Sequence, residues 1–169
     1  MPDDPIVPID DPRLREPSAA ILDIDDDIRA LADYMFQVMD RENGAGLAAI
    51  QIGVPKRMIV VDVPDRSGRR HRMALINPEI LTASATTETN LEGCLSMPGY
   101  DLPVERPASV TVRFRDLGGA TQELTADGML AVCLQHEIDH VNGKVFSDRV
   151  SRLRREKAKA WFAKVRRAA

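Results

Sequence analysis

The chain has 169 residues, 44% apolar and 29% charged, a globular balance that excludes a fibrous or disordered polymer. That length supports one hydrophobic core without disulfide staples, and two cysteines are too few for a disulfide framework. No apolar run approaches the ~20 residues of a membrane span, and the acidic, proline-rich start MPDDPIVPIDDP lacks the basic and apolar regions of a signal peptide. These features predict a cytoplasmic protein of one domain over residues 1–169 that does not engage membranes; a monomer is expected, though nothing in composition or length sets the oligomeric state. The net charge of −3 hides an asymmetry. Residues 149–169 carry nine basic side chains against Glu156 alone, a net +8, which leaves −11 on the remainder. Such a basic tail is able to dock on a polyanion.

Residues 1–22 read as loop, with prolines at 2, 5, 8, 12 and 17. A helix is predicted from about Asp25 to Glu42, where Ile28, Leu31, Ala32, Met35, Val38 and Met39 recur at helical spacing. Asp25, Asp26 and Asp27 suit its N-terminal end, and Asn43-Gly44 suits its stop. The glycines of GAGLAAIQIGVP (44–55) argue for a tight backbone segment rather than a helix interior. Residues 57–63 and 72–81 are β-like, and 84–90 read as a polar strand or loop. Val110, Val112 and Phe114 alternate within 109–116, and Gly118-Gly119 turns that strand into 121–126 as a hairpin. An apolar helix follows from Gly128 to about Val141, and an amphipathic one from about Asp148 to Arg167 with Leu153, Trp161, Phe162 and Val165 as its apolar stripe. Strands in the middle with helices at both ends and one buried helix predict an α+β domain.

The chemistry concentrates in His136-Glu137-Ile138-Asp139-His140, an H-E-x-x-H motif on the apolar helix. Residues four apart share a helical face, so both imidazoles can address one cation, and Glu137 is placed to act as a general base. Two surface histidines beside acids are the bland alternative, but a pair at the end of an apolar helix is partly buried and needs partners. A catalytic metal usually has three protein ligands. Phe146 stands where a metzincin would carry its third histidine, His71 lies in the basic run RSGRRHR, Asp148 suits a helix cap, and Glu156 sits among surface cations. Cys133 shares the helix face, but seven residues of helix span ~10.5 Å, too far for one short arm and His140 to converge; it reads as an apolar core residue. Cys94, in the non-helical LEGCLSMPG, can bring a thiolate to the two imidazoles.

With GAGLAAIQ at 44–51, EGCLS at 92–96 and QHEIDH at 135–140 in this order, the sequence resembles the peptide deformylases. DPRLREPS near the start and GKVFSDR after the metal helix extend the likeness over about residues 5–155. The resemblance implies small antiparallel sheets around a central metal-binding helix. It also implies removal of the N-formyl group from the initiator methionine of nascent polypeptides, with release of formate. It carries metal ligation onto Cys94, His136 and His140 and acid/base work onto Glu137. Gln51 and the Leu95 N–H would stabilise the oxyanion, and Gly46 would meet the substrate backbone. Met129, Val132 and Cys133 would line the methionine pocket, and a Glu92–Arg106 pair would fix the Cys94 loop. The implied ion is Fe²⁺, with Zn²⁺, Ni²⁺ or Co²⁺ able to substitute, since ligand identity alone does not select among them. Ala45 and Asp101 depart from common family residues, which bears on substrate grip rather than on the reaction.

Two other readings compete. H-E-x-x-H also serves metallopeptidases that cut internal bonds, but the missing downstream histidine and the Cys94 context favour the first reading. A non-enzymatic RNA-binding or metal-storage module would have no need of Glu137. The basic tail is either a solvated helix face or a surface that docks on the RNA-rich ribosome, where formylated chains emerge.

Overall fold

The computed structural model describes residues 5–168; residues 1–4 and 169, which the sequence reading counts in the single domain, lie outside the described part. Helix α1 (Asp26–Arg41) is capped by Asp25, whose carboxylate accepts the Ile28 N–H at 3.0 Å. All the apolar positions predicted for its inner face are buried except Leu31, which is half-buried. The glycine-rich segment resolves into a short strand, β1 (Gly46–Ala48), and a 3₁₀ turn over Ala49–Ile52.

Strands β1, β2 (Met58–Pro64), β3 (Arg70–Ala83), β6 (Ser109–Arg115) and β7 (Thr121–Asp127) form one antiparallel sheet in the order β1-β2-β3-β6-β7. Its centre is covered on both faces. Met58 and Val60 of β2 pack with Ala32, Met35 and Met39 of α1, while Ile59 and Val61 pack with Leu130, Leu134 and Ile138 of helix α2 (Gly128–Val141). That explains why residues 58–61 are all buried and the sequence there does not alternate. Helix α2 is itself buried from Leu130 to Val141, including its charged residues.

A second, two-stranded sheet pairs β4 (Thr87–Cys94) with β5 (Met97–Pro107). The polar stretch read as strand or loop is therefore strand. β5 was not anticipated, because Pro98, Gly99, Pro103 and Pro107 argue against a strand. It tolerates them because a two-stranded sheet leaves each strand an unpaired edge. Along β5 the inward residues Leu102, Val104 and Arg106 alternate with the outward or half-exposed Asp101, Pro103 and Glu105.

The last helix starts later than predicted. Residues Phe146–Arg149 form a separate 3₁₀ turn that buries Phe146, with Asp148 accepting the Val145 N–H at 3.0 Å, and helix α3 runs over Arg152–Ala168. Only Ala158 and Phe162 of α3 are buried and Trp161 is half-buried; Leu153 and Val165, assigned to its apolar stripe, are exposed. Two of its neighbourhood's cations are not free: Arg149 pairs with Asp139 and Arg166 with Asp10, each at 2.6 Å. His71 of the basic run RSGRRHR is a strand residue. It lies in β3, half-buried, with its Nε2 2.8 Å from Asp65 Oδ2.

Candidate active site

The β4–β5 turn carries Cys94 against α2. The Cys94 Sγ and one ring nitrogen from each of His136 and His140 lie within 4.8 Å of one another, all three residues buried. Cys94 Sγ is 3.6 Å from His140 Nε2. Ligands held ~2.3 Å (sulfur) and ~2.1 Å (nitrogen) from a tetrahedral centre stand about 3.6 Å apart, so the donor set fits one metal ion. Its soft thiolate and two imidazoles suit a first-row transition metal. Cys133, set aside as a ligand, is outside this group; its Sγ lies 3.4 Å from the Ala45 carbonyl oxygen. His71, Asp148 and Glu156 are outside it as well.

Buried charge holds the ligands in place. Glu92 of β4 accepts from His136 Nδ1 at 2.9 Å, which leaves His136 Nε2 as the ligating atom. Arg106 of β5 grips the same carboxylate with two bonds, Nε at 2.6 Å and Nη2 at 2.9 Å, and reaches Asp139 of α2 with Nη1 at 2.9 Å. Arg149 closes the chain on the far side of Asp139. Burial alone would raise the pKa of Glu92, but the bonds from His136 and Arg106 outweigh it and hold the carboxyl below its usual range. The Glu92–Arg106 pair is therefore present as expected. Asp139 and Arg149 were missed, although a charged residue inside an otherwise apolar helix is a signal that a buried partner exists.

The electrostatics of α2 differ along its length. Burial pushes His140 well below the ordinary imidazole range and keeps it neutral, the form that binds metal. Burial likewise opposes charge on His136, but Cys94 and Glu92 outweigh it and raise that group well above its usual value, so an arriving cation displaces a proton there. Glu137 is lifted to about 7, chiefly by burial. Its Oε1 lies 4.0 Å from His136 Nε2, and its buried Oε2 has no hydrogen-bond partner among the described residues. An orphaned carboxylate oxygen beside the ligand atoms is what a bound cation and its water would satisfy.

Gln51 sits behind the group, 1% exposed. Its Oε1 accepts the Ala48 N–H at 2.9 Å, which fixes the amide so that Nε2 donates to Ser96 Oγ at 3.1 Å and approaches Cys94 Sγ at 3.6 Å. The N-terminal segment laces this corner from outside: Val7 N–H donates to the Gln51 carbonyl at 2.7 Å and Ile9 N–H to that of Ser96 at 2.9 Å. Ser96 was not singled out from the sequence, where a serine after Cys-Leu carries no distinctive signal.

In front of the group opens a cleft of about 410 Å³. Cys94, His136 and Glu137 form its floor, and Gly46, Leu95, Met129, Val132 and Cys133 line it; Gln51 and His140 do not. Leu91 and Met129, 69% and 47% exposed, give the rim an apolar face that solvent alone would not favour. Gly46 has to be glycine: a Cβ there would fall 2.7 Å from Cys133 Sγ and 2.9 Å from Glu137 Cγ.

The polypeptide deformylase family model matches residues 3–156. The chain belongs to the polypeptide deformylase family. The peptide deformylase of Agrobacterium fabrum is 48% identical over 164 residues, covering 97% of this chain and 96% of that one. The peptide deformylase of Rhizobium meliloti is 46% identical over 160 residues, 95% and 92% of the two chains. Among solved structures, peptide deformylase from Ehrlichia chaffeensis superposes with a TM-score of 0.91 at 38% identity, covering 96% of each chain. That enzyme in complex with actinonin gives 0.89 at 40% identity, over 96% of this chain and 95% of that one. The deformylase fold thus accounts for the two-sheet architecture. No helix is long and apolar enough to cross a membrane among the described residues.

Proposed function

We propose that this deformylase hydrolyses the N-formyl group from the initiator methionine of nascent chains, using an ion held by Cys94, His136 and His140. The observation that carries the proposal is the convergence of those three donor atoms within 4.8 Å, with the Glu137 carboxylate beside them in an open cleft. When bound, the ion supplies Lewis-acid activation of water at neutral pH.

The chain's own residues do the rest. Glu137 takes a proton from the attacking water and returns one to the leaving amine nitrogen, which departs as the free amino terminus. Gln51 Nε2, its amide locked by Ala48 and Ser96, and the Leu95 N–H next to the Cys94 ligand stabilise the oxyanion of the tetrahedral state. Gly46 meets the peptide backbone, its missing Cβ leaving the room that Cys133 and Glu137 fill behind it. Met129, Val132 and Cys133 receive the methionine side chain, and Cys133 suits that wall because burial holds its thiol protonated, well above the usual thiol range. We assign Fe²⁺ as the working ion, with Zn²⁺, Ni²⁺ or Co²⁺ able to replace it. The enzyme works as a single cytoplasmic domain over residues 1–169 and as a monomer.

The test is formate release from formyl-methionyl peptides by protein loaded anaerobically with Fe²⁺, with metal content measured on the same sample. Glu137→Gln keeps one equivalent of metal and loses turnover by ~10²–10⁴-fold, the usual worth of general acid/base catalysis. Cleavage of unformylated peptides at internal bonds, without formate, would instead identify a metallopeptidase.

We assign α3 to ribosome docking. Arg152, Arg154, Lys157 and Lys164 project from it as exposed charges, whereas Arg155 is half-buried. Reversing those four to Glu should abolish salt-sensitive ribosome pelleting and leave hydrolysis of a free formyl peptide intact; unchanged pelleting rejects the assignment.

A further inference from the structure

A second cavity, of about 390 Å³, opens between α3, the N-terminal segment and the 3₁₀ turn over Phe146–Arg149. Its size falls within the ~300–1,000 Å³ of small-molecule sites. One side is apolar, built from Ile9, Met97, Ala158 and Phe162, all buried. The other carries two cations against one acid, Arg15 and Lys159 against Asp10, with Ser147 between the segments. Asp10 is neutralised by Arg166 and Arg15 by Asp148, each at 2.6 Å, whereas Lys159 has only Glu156 at 4.0 Å. Arg155, one turn before Lys159 on α3, is half-buried, and its buried Nε has no hydrogen-bond partner among the described residues. A loosely compensated ammonium beside an apolar wall is the complement of a small anion with an apolar body.

The cavity also touches the catalytic loop. Met97 lines both this cavity and the active-site cleft, and it is the ladder partner of Cys94. Ser96, next to it, accepts from Gln51 Nε2 at 3.1 Å, and its carbonyl accepts the N–H of Ile9 at 2.9 Å. Two walls of the cavity are therefore paired or bonded to the residues that place Cys94 and Gln51.

We propose that this cavity is an effector site for a small amphipathic anion, a carboxylate on a short apolar chain, whose binding displaces Met97 and slows turnover. The carboxylate meets Lys159 and the chain lies against Met97 and Phe162. Turnover falls because the donor geometry at Cys94 has little tolerance for displacement. That effect rests on the deformylase reading; the binding does not.

The probe is octanoate, titrated calorimetrically into the metal-loaded full chain. One site per chain is expected, with affinity rising about threefold per methylene from butanoate to octanoate. Lys159→Glu should weaken binding about tenfold. Ala163→Phe, an exposed position on the cavity wall, should fill the space and abolish binding while leaving formate release in the absence of octanoate unchanged. Reversing Arg152, Arg154, Lys157 and Lys164, which do not line the cavity, should leave octanoate binding intact. In the formate assay saturating octanoate should lower kcat at least twofold with KM for the formyl peptide unchanged. No saturable binding, or binding that survives Ala163→Phe, overturns the site. Inhibition that is competitive with the peptide and indifferent to Lys159→Glu places the carboxylate in the cleft and overturns it too. Binding without any change in kcat overturns the effector role. Absence of formate without octanoate removes the deformylase reading and leaves the calorimetric result standing.

Discussion

The buried ion network behind His136 yields a quantitative test. Arg106 is 4% exposed and makes three bonds to two carboxylates, Glu92 and Asp139, which are 3% and 8% exposed. Arg149 also binds Asp139 twice but is 41% exposed. In Arg106→Met, Asp139 keeps Arg149 and Glu92 keeps only His136, so a carboxylate in the interior loses its two-bond guanidinium partner. Breaking a buried pair in this way costs ~3–5 kcal/mol. Arg149→Ala strips Asp139 of a half-solvated partner and leaves it Arg106, so its cost is ~1 kcal/mol. With a urea m-value of ~2 kcal/mol/M, midpoints should fall by ~1.5–2.5 M for the first and ~0.5 M for the second. Melts on metal-free protein keep metal linkage out of the comparison. The same substitution should reach the metal. Glu92, deprived of Arg106, becomes easier to protonate and accepts less well from His136 Nδ1, so affinity in a chelator competition should drop ~10–100-fold. If Arg106→Met proves no more costly than Arg149→Ala, and the ion is held as before, burial is not what gives this network its weight.

Cys94→Ala removes one of three ligands and should leave the purified protein without stoichiometric metal by elemental analysis, while Cys133→Ala should leave the metal content unchanged. Gly46→Ala forces a methyl against Cys133 and Glu137, so a loss of ~1–3 kcal/mol in a urea melt and slower formate release are expected. Trp161 of α3 stacks on Tyr100 with ring centroids 4.8 Å apart and lies against Gly99 at the cleft rim. Trp161→Ala should therefore raise KM for formyl peptides more than it lowers kcat, which steady-state kinetics will separate.

How much of this was legible in the sequence depends on whether the deciding interaction is local. Helix α2 could be read to the residue at both ends, because the apolar run from Met129 to Leu134 continues at helical spacing through Ile138 and Val141 between Gly128 and Asn142. Strand β5 could not, because its prolines are tolerated only by virtue of an unpaired edge, a property of the sheet and not of the strand. The start of α3 was displaced by four residues because Phe146 takes part in the core, and periodicity beyond Asp148 gives no hint of that. Arg149 and Arg166 counted as free tail charge until their partners Asp139 and Asp10 came into view, 10 and 156 residues away in sequence. The metal group was legible since H-E-x-x-H places its own two rings. The third ligand followed from eliminating the other candidates and from the loop around Cys94. The orientation of Gln51 was not, as it depends on Ala48 and Ser96 holding one amide from two sides.

One hairpin joins these observations. Between Glu92 and Arg106 the β4–β5 pair supplies the sulfur ligand, the carboxylate that fixes the His136 tautomer, the cation that keeps that carboxylate charged, and the acid at the cleft mouth. The Glu92/Cys94 irregularity is where the ladder slips, and a Cβ on Gly93, the residue it passes over, would fall 2.9 Å from Asp101 Oδ1. A bulge re-aims the side chains on either side of it. Here it turns Cys94 toward the histidines while Asp101 settles over the glycine. Ligand geometry and the charge at the entrance are thus set by the same backbone irregularity. A side chain at position 93 would have to disturb both, so metal content by elemental analysis should fall in any variant there and stay unchanged in variants at Asp101.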